Sequence, residues 1–172
     1  MGEYKEVEGD LISLAVSGQF DVIAHGCNCF CTMGAGIAVE MAKVFSCNTF
    51  RFEEAKYRGN ILKLGKIDYE PKMVLDNEAF TVLSGQIPNL YVVNAYTQFG
   101  LGKDDEGNIP LDYNALALCF KKLNHLFKGK RIGLPQIGCG LAGGSWDDVK
   151  GLIQKYLTDV DVTVVIYTPP KN

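Results

Sequence analysis

The chain has 172 residues, of which 47% are apolar and 22% are charged. This length and composition suit one compact core, so we expect residues 1–172 to form a single domain. The formal net charge of −3 offers no positive field to a nucleic-acid backbone, which argues against a polynucleotide partner. We find no membrane-length apolar stretch and no secretion signal, and therefore expect a soluble, cytoplasmic protein. The oligomeric state stays open.

Six cysteines raise the question of disulfides or a metal site. A chain of this length without a secretion signal favours free thiols. Cys27, Cys29 and Cys31 alternate and would share one face if they continued a strand. Metal knuckles instead use Cys-x-x-Cys with a second ligand pair. No second pair exists and His25 and His125 are the only histidines, so we predict no metal site.

Predicted strands and helices alternate along the chain, from runs of β-branched and aromatic residues and from amphipathic periodicity. In chain order they are strands at 4–7 and 21–25, helices at 36–45 and 50–58, strands at 80–84 and 90–96, a helix at 112–127, a strand at 131–134, a helix at 145–157 and a strand at 162–167. The alternation predicts a three-layer α/β/α domain with a largely parallel or mixed central sheet. The segment 100–110 predicts a mobile surface loop.

Two glycine-rich segments each stand between a strand and a helix. The first is HGCNCFCTMGAGIA at 25–38, and the second is LPQIGCGLAGGSW at 134–146. Glycines at such junctions permit positive φ and close approach of a ligand, and free N–H groups at a helix start form an anion site. Tight turns alone would explain either segment. Two of them in one domain indicate a diphosphate ligand.

The second segment also raises the alternative of a nicotinamide dehydrogenase, because residues 138–143 match Gly-x-Gly-x-x-Gly. That fingerprint belongs in the first βαβ unit, with an acidic residue at the end of the following strand. Here Asp159 and Asp161 precede the final strand, and few residues follow Tyr167. The second half of a dinucleotide fold has no room, which disfavours this alternative.

Five short motifs occur in an order that is typical of one family. They are GDL at 9–11, the strand leading to Asn28, MGAGI at 33–37, VNAYTQ at 93–98 and IGCGL at 137–141. Jointly they span nearly the whole chain and resemble the macro-domain family, whose members bind ADP-ribose in a cleft above a mixed sheet. His-x-Cys-Asn-Cys before the first loop, and Pro-Gln-Ile with a later Trp, resemble its ADP-ribose 1''-phosphate phosphatase branch, with yeast and phage relatives.

The resemblance implies how the ligand is bound. Asp10 would accept a hydrogen bond from the adenine amino group, and the Leu11 N–H would donate to the adjacent ring nitrogen. Without the resemblance, Asp10 would be interpreted as a turn or N-cap residue. Tyr167 would stack on or border the adenine, with ordinary core packing as the alternative. Asn28 would bind the distal ribose. The residues implied around the diphosphate are Gly34, Ala35, Gly36 and Ile37 on one side and Gly138, Cys139, Gly140, Leu141 and Ala142 on the other.

The same resemblance implies a phosphatase that needs no metal and no cofactor and takes ADP-ribose 1''-phosphate to ADP-ribose. His25 and Asn28 are the candidate catalytic residues. His25 would act as nucleophile or general acid, because imidazole changes charge near neutral pH. The alternative is a strand-end histidine held by a hydrogen bond. Asp112 is a weaker candidate, since a helix N-cap explains it, and Asn94 and Gln98 are candidates to line the cleft.

One departure from the family bears on the reaction. Related hydrolases that remove ADP-ribose from glutamate carry an acidic residue after the Gly-Cys-Gly-Leu motif and a lysine after the central strand. This chain has Ala142 and, approximately, Thr97-Gln98 there. Dephosphorylation is therefore favoured over removal of ADP-ribose from proteins. A non-catalytic ADP-ribose reader and a hydrolase of ADP-ribosyl esters such as O-acetyl-ADP-ribose remain the alternatives.

Overall fold

The computed structural model describes residues 2–169, in which seven strands form one mixed sheet. The strands are β1 (Tyr4–Gly9), β2 (Val22–Asn28), β3 (Ile67–Leu75), β4 (Glu78–Thr81), β5 (Leu90–Gln98), β6 (Arg131–Leu134) and β7 (Asp161–Tyr167). Their order across the sheet is β1-β7-β6-β2-β5-β3-β4. The first five in this order run parallel, whereas β3 is antiparallel to both β5 and β4.

Helices cover both faces of the sheet, so the predicted three-layer α/β/α architecture is confirmed. They are α1 (Leu11–Val16), α2 (Ile37–Phe45), α3 (Tyr113–Leu126) and α4 (Trp146–Tyr156). Apolar residues of α3 and α4 pack on one face of the sheet, and those of α1 and α2 pack on the other. Within residues 2–169, none of these helices has the length and apolar character that a membrane crossing requires.

Aspartate side chains set the start of two helices. Asp112 Oδ1 accepts a hydrogen bond from Ala115 N at 2.9 Å at the start of α3, which confirms the predicted N-cap. Asp10 Oδ1 does the same for α1, accepting from Ser13 N at 3.0 Å. Asp10 therefore has a capping role whether or not it also contacts a ligand.

The predicted helix at 50–58 is wrong. The segment forms separate 3-10 turns at Arg51–Glu53 and Ala55–Tyr57. The Phe52 N–H bonds to Asp68 Oδ2 at 2.8 Å, and Glu54 has extended backbone angles that interrupt the coil. These turns belong to a series that continues to Ile61–Lys63.

Two further elements were not predicted, and one was displaced. Strand β3 contains Pro71 and several charged residues, a composition that argues against an internal strand. Helix α1 has only six residues, too few for a periodic signal. The strand predicted at 80–84 is found at Glu78–Thr81. The loop at 100–110 is largely exposed, as predicted.

Candidate functional site

A cleft of about 560 Å³ opens at the carboxyl ends of the parallel strands. Segments 32–38 and 135–142, which follow β2 and β6, form its opposite walls. Ligands of open α/β sheets bind at this end of the strands. Its remaining lining residues come from the ends of β2, β5 and β7 and from the loop after β5: Gly26, Asn28, Gln98, Leu101, Val165 and Tyr167.

The first wall places a helix N-terminus at the cleft. Gly36 is the N-cap of α2, with φ of +63°, a conformation in which a side chain would be strained. Helix α2 begins at Ile37, and both residues line the cleft. The first N–H groups of a helix have no intrahelical acceptor, and the helix dipole favours negative charge there.

The second wall is held by bonds within its own backbone. Four N–H groups, those of Ile137, Cys139, Gly143 and Gly144, donate to carbonyls of the same loop. The N–H groups of Gly140, Leu141 and Ala142 take part in none of these bonds, and all three residues line the cleft. The loop therefore has donors to offer to a ligand.

The two walls approach each other closely and carry little charge. A Cβ added at Gly36 would lie 4.0 Å from Leu141 Cδ1 of the opposite wall. None of the described residues that line the cleft is Asp, Glu, Lys, Arg or His. An anion between the walls would be held by backbone N–H groups and the α2 dipole, not by a charged side chain.

Asn28 lines the cleft and organises the first wall. Its side chain is only 6% exposed. The amide Nδ2 donates to Thr32 O at 2.9 Å and Oγ1 at 3.0 Å, and Oδ1 accepts from Phe30 N at 3.0 Å. Its contact with a distal ribose stays a prediction. Thr32 and Leu101 also line the cleft and were not predicted; Thr32 could have been found from its position between Asn28 and the first glycines.

Tyr167 lies in the cleft, and the sheet pairing brings Asp10 near it in the fold. Tyr167 lines the cleft, is 65% exposed and pairs in the sheet with Gly9, the residue before Asp10. Exposure argues against the core-packing alternative for Tyr167. Asp10 and Leu11 are not among the cleft-lining residues. Leu11 is buried in the part of the core that α1 and α2 cover. The pairing brings the predicted adenine residues together, but their contact with adenine stays a prediction.

His25 lies inside the protein and not in the cleft. Its side chain is 0% exposed, and Nε2 is 2.7 Å from Asn94 Oδ1, with Cys27 Sγ and Cys47 Sγ at 3.5 and 3.6 Å. Burial lowers the pKa of this imidazole to about 4. The catalytic role expected of His25 stays a prediction, and this geometry gives the ring no contact with a ligand in the cleft. Asn94 is likewise buried, whereas Gln98 reaches the cleft.

A buried polar cluster joins β3, β5 and the turn Arg51–Glu53. Tyr96 donates a hydrogen bond from its hydroxyl to Glu53 Oε2 at 2.8 Å, and Asp68 Oδ2 accepts from Phe52 N. Burial, opposed by the hydrogen bond from Phe52 N, raises the pKa of Asp68 to about 6. The six cysteines are all free thiols. Across residues 2–169, no three His, Cys, Asp or Glu side chains are grouped so as to hold a metal ion.

Known proteins resemble the chain over most of its length, although no protein-family model matches it. An Enterobacteria phage T4 protein, described as an uncharacterized 17.5 kDa protein in the tk-vs intergenic region, is 31% identical over 96% of this chain and 97% of its own. The human ADP-ribose glycohydrolase OARD1 is 25% identical over 94% and 89%. The Candida albicans ADP-ribose 1''-phosphate phosphatase is 25% identical over 87% and 91%.

Solved structures share the fold. A Bacteroides thetaiotaomicron protein of unknown function has a TM-score of 0.70 at 26% identity, covering 96% of this chain and 98% of that one. A macrodomain protein from Streptomyces coelicolor has a TM-score of 0.63 at 26% identity, and the match covers 98% of this chain and 100% of that one. Thermosipho africanus DarTG in complex with ADP-ribose has a TM-score of 0.68 at 18% identity, and the match covers 100% of this chain and 43% of that one. Sequence and structure thus match over nearly the whole chain, which belongs to the macrodomain family.

Proposed function

We propose that the chain binds ADP-ribose in the cleft and hydrolyses ADP-ribose 1''-phosphate to ADP-ribose and phosphate. The observation that carries the binding proposal is the pair of facing glycine-rich walls. Their unused N–H groups line a cleft without charged side chains. Backbone donors on two sides suit the two phosphates of a diphosphate.

The order of the strands supports one orientation of the ligand. Asp10 follows β1 and Tyr167 ends β7 at one end of the parallel set, and Asn28 and Gln98 end β2 and β5 at the other. One glycine-rich wall follows β6, which lies between β7 and β2, and the other follows β2. Adenine, diphosphate and distal ribose occur in the same order along ADP-ribose. We therefore place the adenine by Tyr167 and the distal ribose by Asn28.

Dephosphorylation draws support from one relative and from residues of the cleft. The Candida albicans relative is named for this reaction, whereas the human relative is named an ADP-ribose glycohydrolase. Gln98 and Ala142 both line the cleft. Ala142 stands where the hydrolases that act on glutamate-linked ADP-ribose carry an acidic residue, and Thr97-Gln98 approximately where they carry lysine. The chain therefore lacks the lysine and the acidic residue that such a glycosidic mechanism uses.

The residues of this cleft would act by positioning. The walls hold the diphosphate, and Asn28 and Thr32 face the distal ribose with its 1''-phosphate. Water attacks the phosphorus, and the bond from phosphorus to the ribose oxygen breaks. The proton of the water passes to the released oxygen, with the phosphate oxygens as carrier. Orientation of water and ester in a fixed geometry lowers the barrier without an ionisable side chain.

A reader function is the second candidate, and one observation favours it. Cys139 and Tyr167 are the only ionisable side chains among the described cleft residues, so no ordinary general acid or base is in place at neutral pH. Such a cleft could recognise ADP-ribose and catalyse nothing, because a binding site on a fold does not imply turnover.

The test combines calorimetric ADP-ribose binding with phosphate release from ADP-ribose 1''-phosphate. The expected result is binding together with phosphate release, and weaker binding in Gly140→Ala. Binding without release, also when O-acetyl-ADP-ribose and an ADP-ribosylated protein are supplied, would establish the reader. Release of ADP-ribose from either of these two substrates, without phosphatase activity, would move the reaction to ester hydrolysis. Absence of ADP-ribose binding would contradict the whole proposal.

A further inference from the structure

Cys31 and Lys63 make an unusually close contact. Lys63 Nζ lies 2.7 Å from Cys31 Sγ, whereas the other side-chain sulfur contacts are 3.3 to 3.9 Å long. Lys63 is only 2% exposed. Its Nζ also donates to Phe52 O at 2.9 Å and lies 4.7 Å from the centre of the Tyr96 ring. The amine is thus fixed against the sulfur.

Cys31 is also partly exposed to solvent. Only Cys31 and Cys139 are partly exposed, and the other four cysteines are buried. Cys139 Sγ donates to Ile137 O at 3.5 Å, and within residues 2–169 it makes no hydrogen bond to an amine. The two thiols are therefore a matched pair in exposure that differs in the presence of an amine.

We propose that Cys31 and Lys63 form an oxidation site, at which hydrogen peroxide converts the contact into a covalent sulfur–nitrogen cross-link. This site is independent of the ligand cleft chemistry and of the proposed hydrolase activity. Its substrate class is a small peroxide. The product is a sulfenamide, the species that a sulfenic acid forms when a nitrogen captures it.

The first step forms a sulfenic acid on Cys31. The thiolate sulfur attacks one oxygen of peroxide, the oxygen–oxygen bond breaks, and hydroxide leaves. The Lys63 ammonium gives a proton to this hydroxide, which becomes water, and a neutral amine remains. Sulfur has then lost two electrons, and these have reduced the peroxide.

The second step closes the cross-link. The lone pair of Lys63 Nζ attacks the Cys31 sulfur, and the sulfur–oxygen bond breaks. The departing hydroxide takes one proton from the nitrogen and leaves as a second water. One thiolate, one ammonium and one peroxide have become one sulfenamide and two waters. The close initial contact means that the chain needs little rearrangement for this step.

The protonation of Cys31 sets the pace of the reaction. Burial raises the pKa of this thiol above its ordinary value, and the hydrogen bond from Lys63 opposes that rise. Thiolate is the reactive form. Cross-linking is therefore faster in mildly alkaline buffer than at neutral pH.

The cross-link would tie one wall of the cleft to the interior. Cys31 lies between Asn28 and Thr32, which are joined by side-chain hydrogen bonds and line the cleft. Lys63 ends the 3-10 turn Ile61–Lys63, which is distant in sequence from the segment that contains Cys31. Oxidation thus adds a covalent bond between these two segments.

The direct test maps the peptides of the unaltered protein after treatment with equimolar hydrogen peroxide and digestion without reductant. We expect a peptide that joins Cys31 to Lys63, two hydrogens lighter than the separate peptides together, and its disappearance after dithiothreitol. Recovery of Cys31 as free thiol, sulfinic acid or sulfonic acid without the joined peptide would overturn the proposal. So would oxidation of Cys139 at the same rate.

Variants provide a second measurement. In Lys63→Met the sulfenic acid has no amine to capture it, so dimedone should label Cys31 several-fold more than in the unaltered protein. Cys139→Ser is the matched control and should keep the cross-link. Equal dimedone labelling of Cys31 with and without Lys63 would contradict the proposal, and the peptide map decides the matter even if Lys63→Met fails to fold.

Discussion

His25 donates a hydrogen bond from Nε2 to Asn94 Oδ1, at 2.7 Å, between the adjacent parallel strands β2 and β5. The direction follows from Asn94, whose Nδ2 donates to Cys47 O at 2.9 Å and whose Oδ1 must therefore face the ring. His25 carries its proton on Nε2. The bond joins two core strands just before they reach the cleft.

We expect His25→Ala to lower the free energy of unfolding by about 2 to 4 kcal/mol, because it leaves a cavity and an unpaired buried amide oxygen. Denaturant unfolding measures this loss. Phosphate release per folded molecule should stay close to that of the unaltered protein, since the ring does not line the cleft.

His125→Ala is the matched control, because His125 is exposed near the end of α3 and its removal should change neither quantity. The catalytic role that the sequence suggested predicts a different pattern for His25→Ala. Normal stability and normal ADP-ribose binding with turnover lowered a hundredfold would establish that role and contradict the structural one.

The stability of the protein should depend on pH through two buried groups with opposite effects. Burial lowers the pKa of His25 to about 4. The unfolded chain then binds a proton that the native protein does not, and stability increases as pH rises from about 4 to about 6.5. Burial raises the pKa of Asp68 to about 6, so its contribution is present at low pH and is lost as pH rises from about 4 to 6.

Asp68→Asn removes only the second effect. Between about pH 4 and pH 6, the free energy of unfolding of this variant should rise relative to the unaltered protein by up to about 1.4 kcal/mol per pH unit. Denaturant unfolding at several pH values measures the difference. Asp105→Asn, at an exposed loop position, should track the unaltered protein. If the free energy of unfolding of Asp68→Asn changed with pH in the same way as that of the unaltered protein, Asp68 would not titrate in this range.

Local patterns predicted most of the fold, because periodicity and capping are local properties. Helix α3 combines an apolar stripe with the Asp112 N-cap, and both features are visible in the sequence. The turns at 51–57 depend instead on a hydrogen bond from Phe52 N to Asp68, which lies in the later strand β3. A pattern within one segment contains no information about such a partner.

The cleft could be predicted in outline but not in the direction of each side chain. The two glycine-rich segments line it, as expected from their positions between strand and helix. His25 was expected beside them because it is close to Asn28 in sequence. Alternation along β2 sends His25 to the α2 side of the sheet, where it meets Cys47 and Asn94. That outcome depends on the register and twist of the strand and on what covers each face.

Two substitutions separate the capping role of Asp10 from its proposed contact with adenine. Asp10→Asn keeps an oxygen for Ser13 N and should leave stability unchanged, whereas Asp10→Ala should cost about 1 kcal/mol. Both should weaken ADP-ribose binding by about 1 to 3 kcal/mol. Alanine has no acceptor, and in Asp10→Asn the one oxygen faces Ser13 N, so that the NH2 group, a donor, faces the adenine amino group. Unfolding curves and calorimetry provide the two measurements.

A ligand change sharpens the Asp10 test. Hypoxanthine has an oxygen in place of the adenine amino group, so the unaltered protein should bind the inosine analogue of ADP-ribose more weakly than ADP-ribose. Asp10→Asn can donate to that oxygen and should reduce or reverse the preference. An unchanged preference in the variant would show that Asp10 serves only as the cap of α1.

The last prediction tests whether phosphates occupy the space between the glycine-rich walls. Gly34 and Gly140 line the cleft, and a Cβ built at either meets no protein atom within 4 Å. Neither is among the glycines with positive φ, so alanine fits the backbone at both positions. Gly34→Ala and Gly140→Ala should fold normally and lower ADP-ribose affinity at least about tenfold, which corresponds to about 1.4 kcal/mol, because the methyl group takes the place of a phosphate oxygen. Gly151→Ala, also free of contacts but within α4, should stabilise the protein by about 0.5 to 1 kcal/mol and leave affinity unchanged. Calorimetry that finds full affinity in both loop variants would place the diphosphate elsewhere.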